Sequence, residues 1–136
     1  MSGEAWWRDF TGRGLCNSLG IEVVEIGDER VVLTMPVDTR THQPYGILHG
    51  GASIALAETA ASLGANGRIN RERFVGVGQE INGNHLRAVS EGVVTAFAEP
   101  VHVGRSSQVW SIEIRDEVQR LVCIARCTVA IVPRRG

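Results

Sequence analysis

Apolar and polar positions alternate with a period of two through most of this chain. Val31, Leu33 and Met35 share one face of such a stretch, as expected for a half-buried strand. Gly27-Asp28 just before it is typical of a hairpin tip. Short links between successive stretches favour antiparallel pairing. The β-rich stretches predict strands over residues 21–26, 30–37, 74–87, 93–103, 107–115 and 121–132.

One segment of the chain has a different pattern. Residues 52–65 are rich in strong helix formers and almost free of charge, which predicts a helix that is apolar on nearly every side. Such a helix is a buried one, and its many small residues indicate close packing. A shorter helix is predicted over residues 4–12. Together the elements predict a single α+β domain over residues 1–136, with a bent antiparallel sheet wrapped around one long buried helix.

The composition of the chain argues against nucleic acid and membranes as binding partners. The chain has 136 residues, enough for one domain, and its 14 basic and 15 acidic residues give a net charge of -1. That balance provides no general attraction to nucleic acid or to an anionic membrane. The N-terminal segment carries charges where a signal peptide needs an apolar core, and no run is long enough to cross a bilayer. We therefore expect a cytoplasmic protein that binds neither nucleic acid nor membrane.

Cysteine and histidine spacing gives no sign of a metal site. Three cysteines without a CxxC pair favour reduced packing residues over a disulfide framework. HxxxH spacing and acidic clusters at ligand spacing are also missing from the sequence, so no metal is expected.

His85 lies beside Asn84 and Arg87 in a predicted strand, where it could line a ligand channel.

Glu58 stands in the middle of the predicted apolar helix. A buried carboxylate costs several kcal/mol unless it is paired, hydrogen-bonded or protonated. The sequence has no Lys or Arg between Arg40 and Arg68, so the helix supplies no ion-pair partner of its own. A costly group without local compensation is typical of a functional site. The alternatives are a solvated helix face or an arginine partner from elsewhere in the fold.

His49, Gly50 and Gly51 stand at the start of this helix. The backbone amides of a first helical turn have no intrahelical partners, and the helix dipole adds a partial positive charge there. Such an end binds anions or a developing oxyanion. A tight turn or close packing against the sheet would also explain the two glycines. His49 could orient a substrate carbonyl or be an ordinary loop residue.

The spacing of these groups predicts a dimer. Gly51 and Glu58 are seven residues apart, which places them on one helix face about 10.5 Å apart along the axis. That distance is too long for one helix to place both its terminal amides and its carboxylate on a single carbonyl. A second, antiparallel copy of the helix would bring Glu58 of one chain near Gly50 and Gly51 of the other. We therefore predict a homodimer with shared sites.

Several stretches resemble the hotdog-fold thioesterases of the PaaI-like branch. The pattern HGGxxxxLAE in residues 46–62 carries that resemblance. Residues 41–46, 80–87 and 100–110 are similar to a subgroup that contains the 1,4-dihydroxy-2-naphthoyl-CoA thioesterases of menaquinone biosynthesis and the proofreading thioesterase of enterobactin synthesis. The similarity covers roughly residues 20–132. It implies an acyl-CoA thioesterase that assembles as a homotetramer.

The resemblance also implies roles for individual residues. Glu58 would be the nucleophile or the general base. No cofactor is implied, because coenzyme A is part of the substrate, and the acyl group would be aromatic, of the hydroxybenzoyl or naphthoyl type. Arg87, Arg105 and Ser106 would hold the nucleotide end of coenzyme A, where guanidinium suits phosphate. Gln43 and His49 would hold the thioester carbonyl, helped by the backbone amide of Gly50 or Gly51. Ser62 would position the attacking water or the acyl group. His85 would contact the acyl group or the pantetheine arm.

Three other functions are alternatives for this sequence. A related thioesterase could clear acyl groups bound to a carrier protein instead of coenzyme A. A hotdog dehydratase or hydratase is disfavoured, because it would pair a catalytic His with an acid in a different local arrangement that this sequence does not show. A non-catalytic acyl-CoA-binding protein would have no need for Glu58.

Overall fold

A computed structural model of the protein describes residues 6–135. This part of the chain contains three helices and six strands. The helices are α1 (Arg8–Thr11), α2 (Gly14–Leu19) and α3 (Gly50–Asn66). The strands are β1 (Glu22–Ile26), β2 (Val31–Pro36), β3 (Phe74–His85), β4 (Val93–Val103), β5 (Ser107–Arg115) and β6 (Leu121–Pro133).

The six strands form one sheet in the order β1-β2-β4-β5-β6-β3. Every neighbouring pair is antiparallel, because hairpin turns join most of the strands that follow one another. The antiparallel pairs β2–β4 and β3–β6 are not joined by hairpins, since α3 lies in the connection between β2 and β3 and packs against the sheet. Among the described residues, β3 therefore lies at an edge of the sheet, with β6 as its hydrogen-bonded neighbour.

The core lies between α3 and the face of the sheet that it covers. Trp110, Ile112 and Ile114 of β5 are buried with Leu56 and Leu63 of α3. Gly64 lets the helix approach the sheet closely, since a Cβ there would lie 2.6 Å from Cζ3 of Trp110. The close packing that the small residues of this helix predicted is thus confirmed.

Most of the predicted element boundaries are confirmed. β4 and β5 have the predicted bounds, and α3 begins two residues before and ends one residue after the predicted helix. The helix predicted over residues 4–12 is shorter in the described part of the chain, where α1 spans Arg8–Thr11; residues 4 and 5 lie outside that part. α2 was not predicted, because its sequence is short and contains Asn17 and Ser18, which favour turns.

None of the helices within residues 6–135 has both the length and the apolarity needed to cross a bilayer. The three cysteines are free, with Cys16 partly buried and Cys123 and Cys127 fully buried. They are packing residues, as their spacing predicted.

Candidate active site

His49 caps the N-terminal end of α3. Its Nδ1 accepts a hydrogen bond of 2.7 Å from the backbone amide of Gly51, and its carbonyl accepts from Ala52 and Ser53. Among residues 6–135, these bonds leave the amide of Gly50 as the first-turn donor without a partner. Gly50 rather than Gly51 therefore offers a free N–H. Because Nδ1 is an acceptor, a neutral His49 carries its proton on Nε2, which can donate to a ligand.

A cleft of about 340 Å³ opens beside this helix end. Gln43, Gly50, His85 and Arg87 all line it, so four of the predicted site residues meet in one place. The ring of His85 lies over Gly50, because a Cβ at Gly50 would be 2.7 Å from Nε2 of His85. The cleft thus combines a free backbone amide with polar side chains from a loop and from the end of β3.

Gln43 is held with its side-chain amide oriented. The backbone amide of Tyr45 donates to Oε1 of Gln43, while the backbone amide of Gln43 donates to the carbonyl of Ile47 at 2.8 Å. With its oxygen engaged, the side chain has its NH2 group left as a donor. A carbonyl placed in the cleft would find that group beside the helix end.

Glu58 lies further along α3, half-buried against the edge strand β3. Its side chain occupies the space over Gly78, where a Cβ would be 2.9 Å from Cδ of Glu58 and 3.2 Å from Cγ, and nearer still to Oε2. The ion pairs within residues 6–135 all join other side chains. In that part of the chain, an arginine partner for Glu58 is therefore ruled out. The full burial expected from its helix is wrong, since Glu58 is partly exposed.

α3 and β3 lie side by side, and every fourth residue of the helix faces the strand. Ser62 belongs to this row of residues, one turn beyond Glu58. Asn66 ends the row with a pair of hydrogen bonds to the backbone of Gly76, at 2.9 and 3.0 Å. The contacts along the row are Gly50 with His85, Ile54 with Gly83, Glu58 with Gly78 and Asn66 with Gly76.

β3 is irregular where it passes Glu58. Its register with β6 shifts between Gly78 and Glu80, so Gln79 is the extra residue of a β-bulge. Cys127 of β6 is buried close by. Burial raises the pKa of its thiol to about 12, with further contributions from the negative charges of Glu58 and Glu80. The thiol stays protonated and serves as a packing group beside the carboxylate.

The structure leaves two groups of predicted residues apart within one chain. Glu58 and Ser62 lie about two helical turns or more from the cleft at the end of α3. Arg105 and Ser106 are exposed in the turn between β4 and β5, where the carbonyl of Ser106 accepts a hydrogen bond from Ile131. That turn and Arg87 are at opposite ends of the sheet. His85 pairs with Cys123 of β6 and Ser107 pairs with Ala130. These two partners are seven positions apart, which is about 23 Å along the strand.

Gly78 contacts the carboxylate and Cys127 lies beside it, but neither residue was predicted as part of the site. The available signal was a glycine inside a strand, which often marks a bulge or a close approach by another group. β3 contains three glycines, so that signal alone did not single out Gly78.

Comparison with known proteins connects this site to a family. A sequence model of the thioesterase superfamily matches residues 45–123, more than half of the chain. The chain belongs to the thioesterase superfamily. Its matched part includes the HGG segment, Glu58 and β3. The predicted hotdog fold and the predicted thioester hydrolase activity are thereby confirmed.

Individual thioesterases share most of the length of this one. A 1,4-dihydroxy-2-naphthoyl-CoA hydrolase from Listeria monocytogenes is 48% identical over 122 residues, which cover 90% of this chain and 98% of the relative. A proofreading thioesterase from Cronobacter turicensis, EntH, is 50% identical over 117 residues, with 86% and 85% covered. The crystal structure of a mutant thioesterase from Pseudomonas aeruginosa has a TM-score of 0.90 at 40% identity, with 93% and 91% covered.

Proposed function

We propose that this thioesterase hydrolyses acyl-CoA thioesters to the free acid and coenzyme A, with Glu58 as the central carboxylate. The observation that carries the proposal is Glu58 itself, a half-buried carboxylate without a cationic partner among residues 6–135. A group kept in this state is available for chemistry. The substrate class is supported by the Listeria relative, whose name specifies a naphthoyl-CoA thioester. We therefore favour hydroxylated benzoyl or naphthoyl groups over long aliphatic chains.

Thioester hydrolysis needs donors at the carbonyl oxygen and a nucleophile at the carbonyl carbon. The amide of Gly50, Nε2 of His49 and the side-chain amide of Gln43 are the donors in this proposal. Glu58 either attacks the carbonyl carbon to form an anhydride or removes a proton from the attacking water. Ser62 positions that water or the acyl group. His85 contacts the acyl group or the pantetheine arm.

A twofold dimer would complete the site. β3 is a twelve-residue strand at the edge of the sheet, hydrogen-bonded on one side within the chain, and such an edge is a template for pairing. Antiparallel pairing of two copies of β3 would place the Gly78 end of one strand beside the His85 end of the other. Glu58 of one chain would then face Gly50 of its partner, as the spacing along α3 requires.

The same pairing would account for the nucleotide end of the substrate. Arg105 and Ser106 lie at the Gly78 end of the sheet, whereas Arg87 lies at the His85 end. Residues from two chains would therefore flank one coenzyme A, with guanidinium groups available for its phosphates. A homotetramer made of two such dimers is the assembly that the family resemblance implies.

A thiol-release assay tests the proposal. Purified wild type, Glu58→Ala and the control Glu99→Gln, which changes an exposed carboxylate on β4, are compared on benzoyl-, naphthoyl-, phenylacetyl- and aliphatic-CoA. We expect aromatic thioesters to be the best substrates. Glu58→Ala should lower kcat by at least about a hundredfold, and Glu99→Gln should match wild type.

Other outcomes of this assay separate the competing functions. Turnover of carrier-protein thioesters in preference to CoA thioesters would replace the proposed substrate class. An active Glu58→Ala would remove Glu58 from the mechanism. If Glu58 is essential, single turnover in labelled water distinguishes its two roles, because label found in Glu58 requires an anhydride.

A further inference from the structure

Gly78 has no backbone reason to be glycine. Its φ lies outside the left-handed region, so the main chain there suits any residue. Glycine in a strand interior also weakens the strand, because it loses more conformational freedom on folding than other residues do. The position therefore has another requirement, which the neighbouring helix supplies.

The three glycines of β3 face three chemically different side chains of α3. At Gly76 an added Cβ would meet the amide of Asn66 at 3.1 Å, and at Gly83 it would meet the terminal methyl of Ile54 at 2.8 Å. At Gly78 it would meet the carboxylate of Glu58, with Cδ at 2.9 Å. Within this strand, Gly78 is thus the glycine whose missing side chain leaves room for the candidate catalytic group.

We propose that Gly78 is a positioning residue, whose missing Cβ determines where the carboxylate of Glu58 lies relative to the substrate. The inference rests on the proposed role of Glu58. A methyl group at residue 78 would displace the end of the Glu58 side chain, which is flexible and has no ion pair within residues 6–135 to lose. The fold would tolerate that movement. Catalysis would be slowed by it, since displacing a reacting group by about 1 Å can lower the rate on the order of a hundredfold.

The bulge in β3 supports this assignment. Bulges turn a strand locally and re-aim the groups on either side of it. The shift between Gly78 and Glu80 begins at the glycine that faces Glu58. The bulge and the glycine therefore act on the same short segment of the strand, opposite the carboxylate.

The test compares Gly78→Ala with Gly83→Ala in steady-state kinetics on the best thioester found for wild type. Gly83→Ala is the control, because it adds the same methyl group to the same strand but meets the end of Ile54 at 2.8 Å and the carbonyl of Ile124 at 3.2 Å instead of Glu58. We expect Gly78→Ala to lower kcat by roughly 10- to 100-fold, with KM changed by less than about twofold. Gly83→Ala should retain the kcat of wild type. Equal losses in both variants would show a general effect on the strand and overturn the proposal.

A shorter carboxylate provides the rescue. In a Glu58→Asp background the side chain is one methylene shorter, so its overlap with an added methyl at residue 78 is reduced, although Cγ stays 3.2 Å away. Gly78→Ala should then lower kcat by a smaller factor than it does in the Glu58 background. A loss as large as that in the Glu58 background would mean that Gly78 does not act through Glu58.

Unfolding measurements keep the proposal testable if Gly78→Ala folds poorly. The variant is made in wild type and in Glu58→Ala, and the urea midpoints are compared. If contact with Glu58 is the cause, Glu58→Ala should restore the midpoint, whereas destabilisation in both backgrounds overturns the proposal. An active Glu58→Ala would refute the catalytic role of Glu58 itself. An inactive Glu58→Ala with a fully active Gly78→Ala would refute the positioning role of Gly78 alone.

Discussion

Nδ1 of His49 accepts a hydrogen bond of 2.7 Å from the backbone amide of Gly51. This bond ties two functions to one ring, since Nδ1 caps α3 while Nε2 is left to donate. It also explains why two successive glycines are not equivalent. The amide of Gly51 is used by the cap, and the amide of Gly50 stays free within the described residues.

The two functions of His49 can be separated by substitution. His49→Ala removes both, so we expect the free energy of unfolding to fall by about 1 kcal/mol and kcat to fall as well. His49→Asn supplies a side-chain oxygen that caps helices well, so stability should recover while kcat stays low. Urea unfolding and the thiol-release assay measure the two effects. Recovery of full turnover in His49→Asn would mean that His49 acts only as a cap.

Subunit mixing tests whether the sites are shared between chains. Glu58→Ala and Gln43→Ala are each expected to be inactive as homodimers. In a hybrid of the two, one site would contain both defects and the other would contain neither. Random exchange should therefore restore up to about a quarter of wild-type specific activity. If Glu58 and Gln43 of the same chain formed each site, the mixture would stay inactive.

Truncated substrates test the two ends of the coenzyme A site. Arg87→Ala and Arg105→Ala should each raise KM for the CoA thioester by about tenfold or more, because a charge-assisted hydrogen bond to phosphate is lost. The same acyl group on N-acetylcysteamine has no nucleotide, and its KM should not change. Arg135→Ala, a change near the C-terminus outside the cleft, is the control. Equal effects on both substrates would point to a disturbed fold instead.

Buried thiols give a prediction about reactivity and pH. Burial raises the pKa of Cys127 to about 12 and also raises that of Cys123. In native protein at pH 8, a disulfide reagent should therefore modify Cys16 alone, and in urea it should modify all three cysteines. Cys16→Ser should make the native protein unreactive. Rapid modification of three thiols in the native state would contradict the burial.

The number of protons bound by Cys127 in the native and unfolded states determines how the free energy of unfolding changes with pH. Unfolded Cys127 loses its proton near its ordinary pKa of 9.0, whereas the native thiol keeps it up to about 12. The unfolded state therefore binds fewer protons in that interval, and the free energy of unfolding falls as pH rises from 9 to 12. Cys127→Ala should show a shallower slope than wild type in urea titrations over this range.

The sequence was sufficient to predict the fold because its patterns are local and consistent. The alternation in β5 and the nearly uncharged run of α3 each permit one kind of element, and the close approach of Gly64 to Trp110 is the packing that the small residues indicated. α2 escaped prediction for the opposite reason. Its six residues include Asn17 and Ser18, and its C-terminal end depends on Gly20 with a φ of 75°.

The site was predicted in part, because its residues come from segments far apart in sequence. Glu58 could be recognised from its apolar surroundings, and a free amide from the glycines at the start of α3. The use of the Gly51 amide by His49 depends on a side-chain orientation that no sequence pattern specifies. The separation of Arg87 from Arg105 depends on strand register, which pairs β3 with β6 instead of with its neighbours in sequence.

The glycines of β3 have a consequence for the order in which the molecule opens. β3 contains three glycines and two asparagines, which form strands poorly, and β6 is its one neighbour within residues 6–135. Detaching this strand should therefore cost less free energy than opening the central strand β5, so the amides of β3 should exchange with deuterium before those of β5. The scaffold of Glu58 would open while the rest of the core is still closed. A ligand or second chain that holds β3 would slow that exchange.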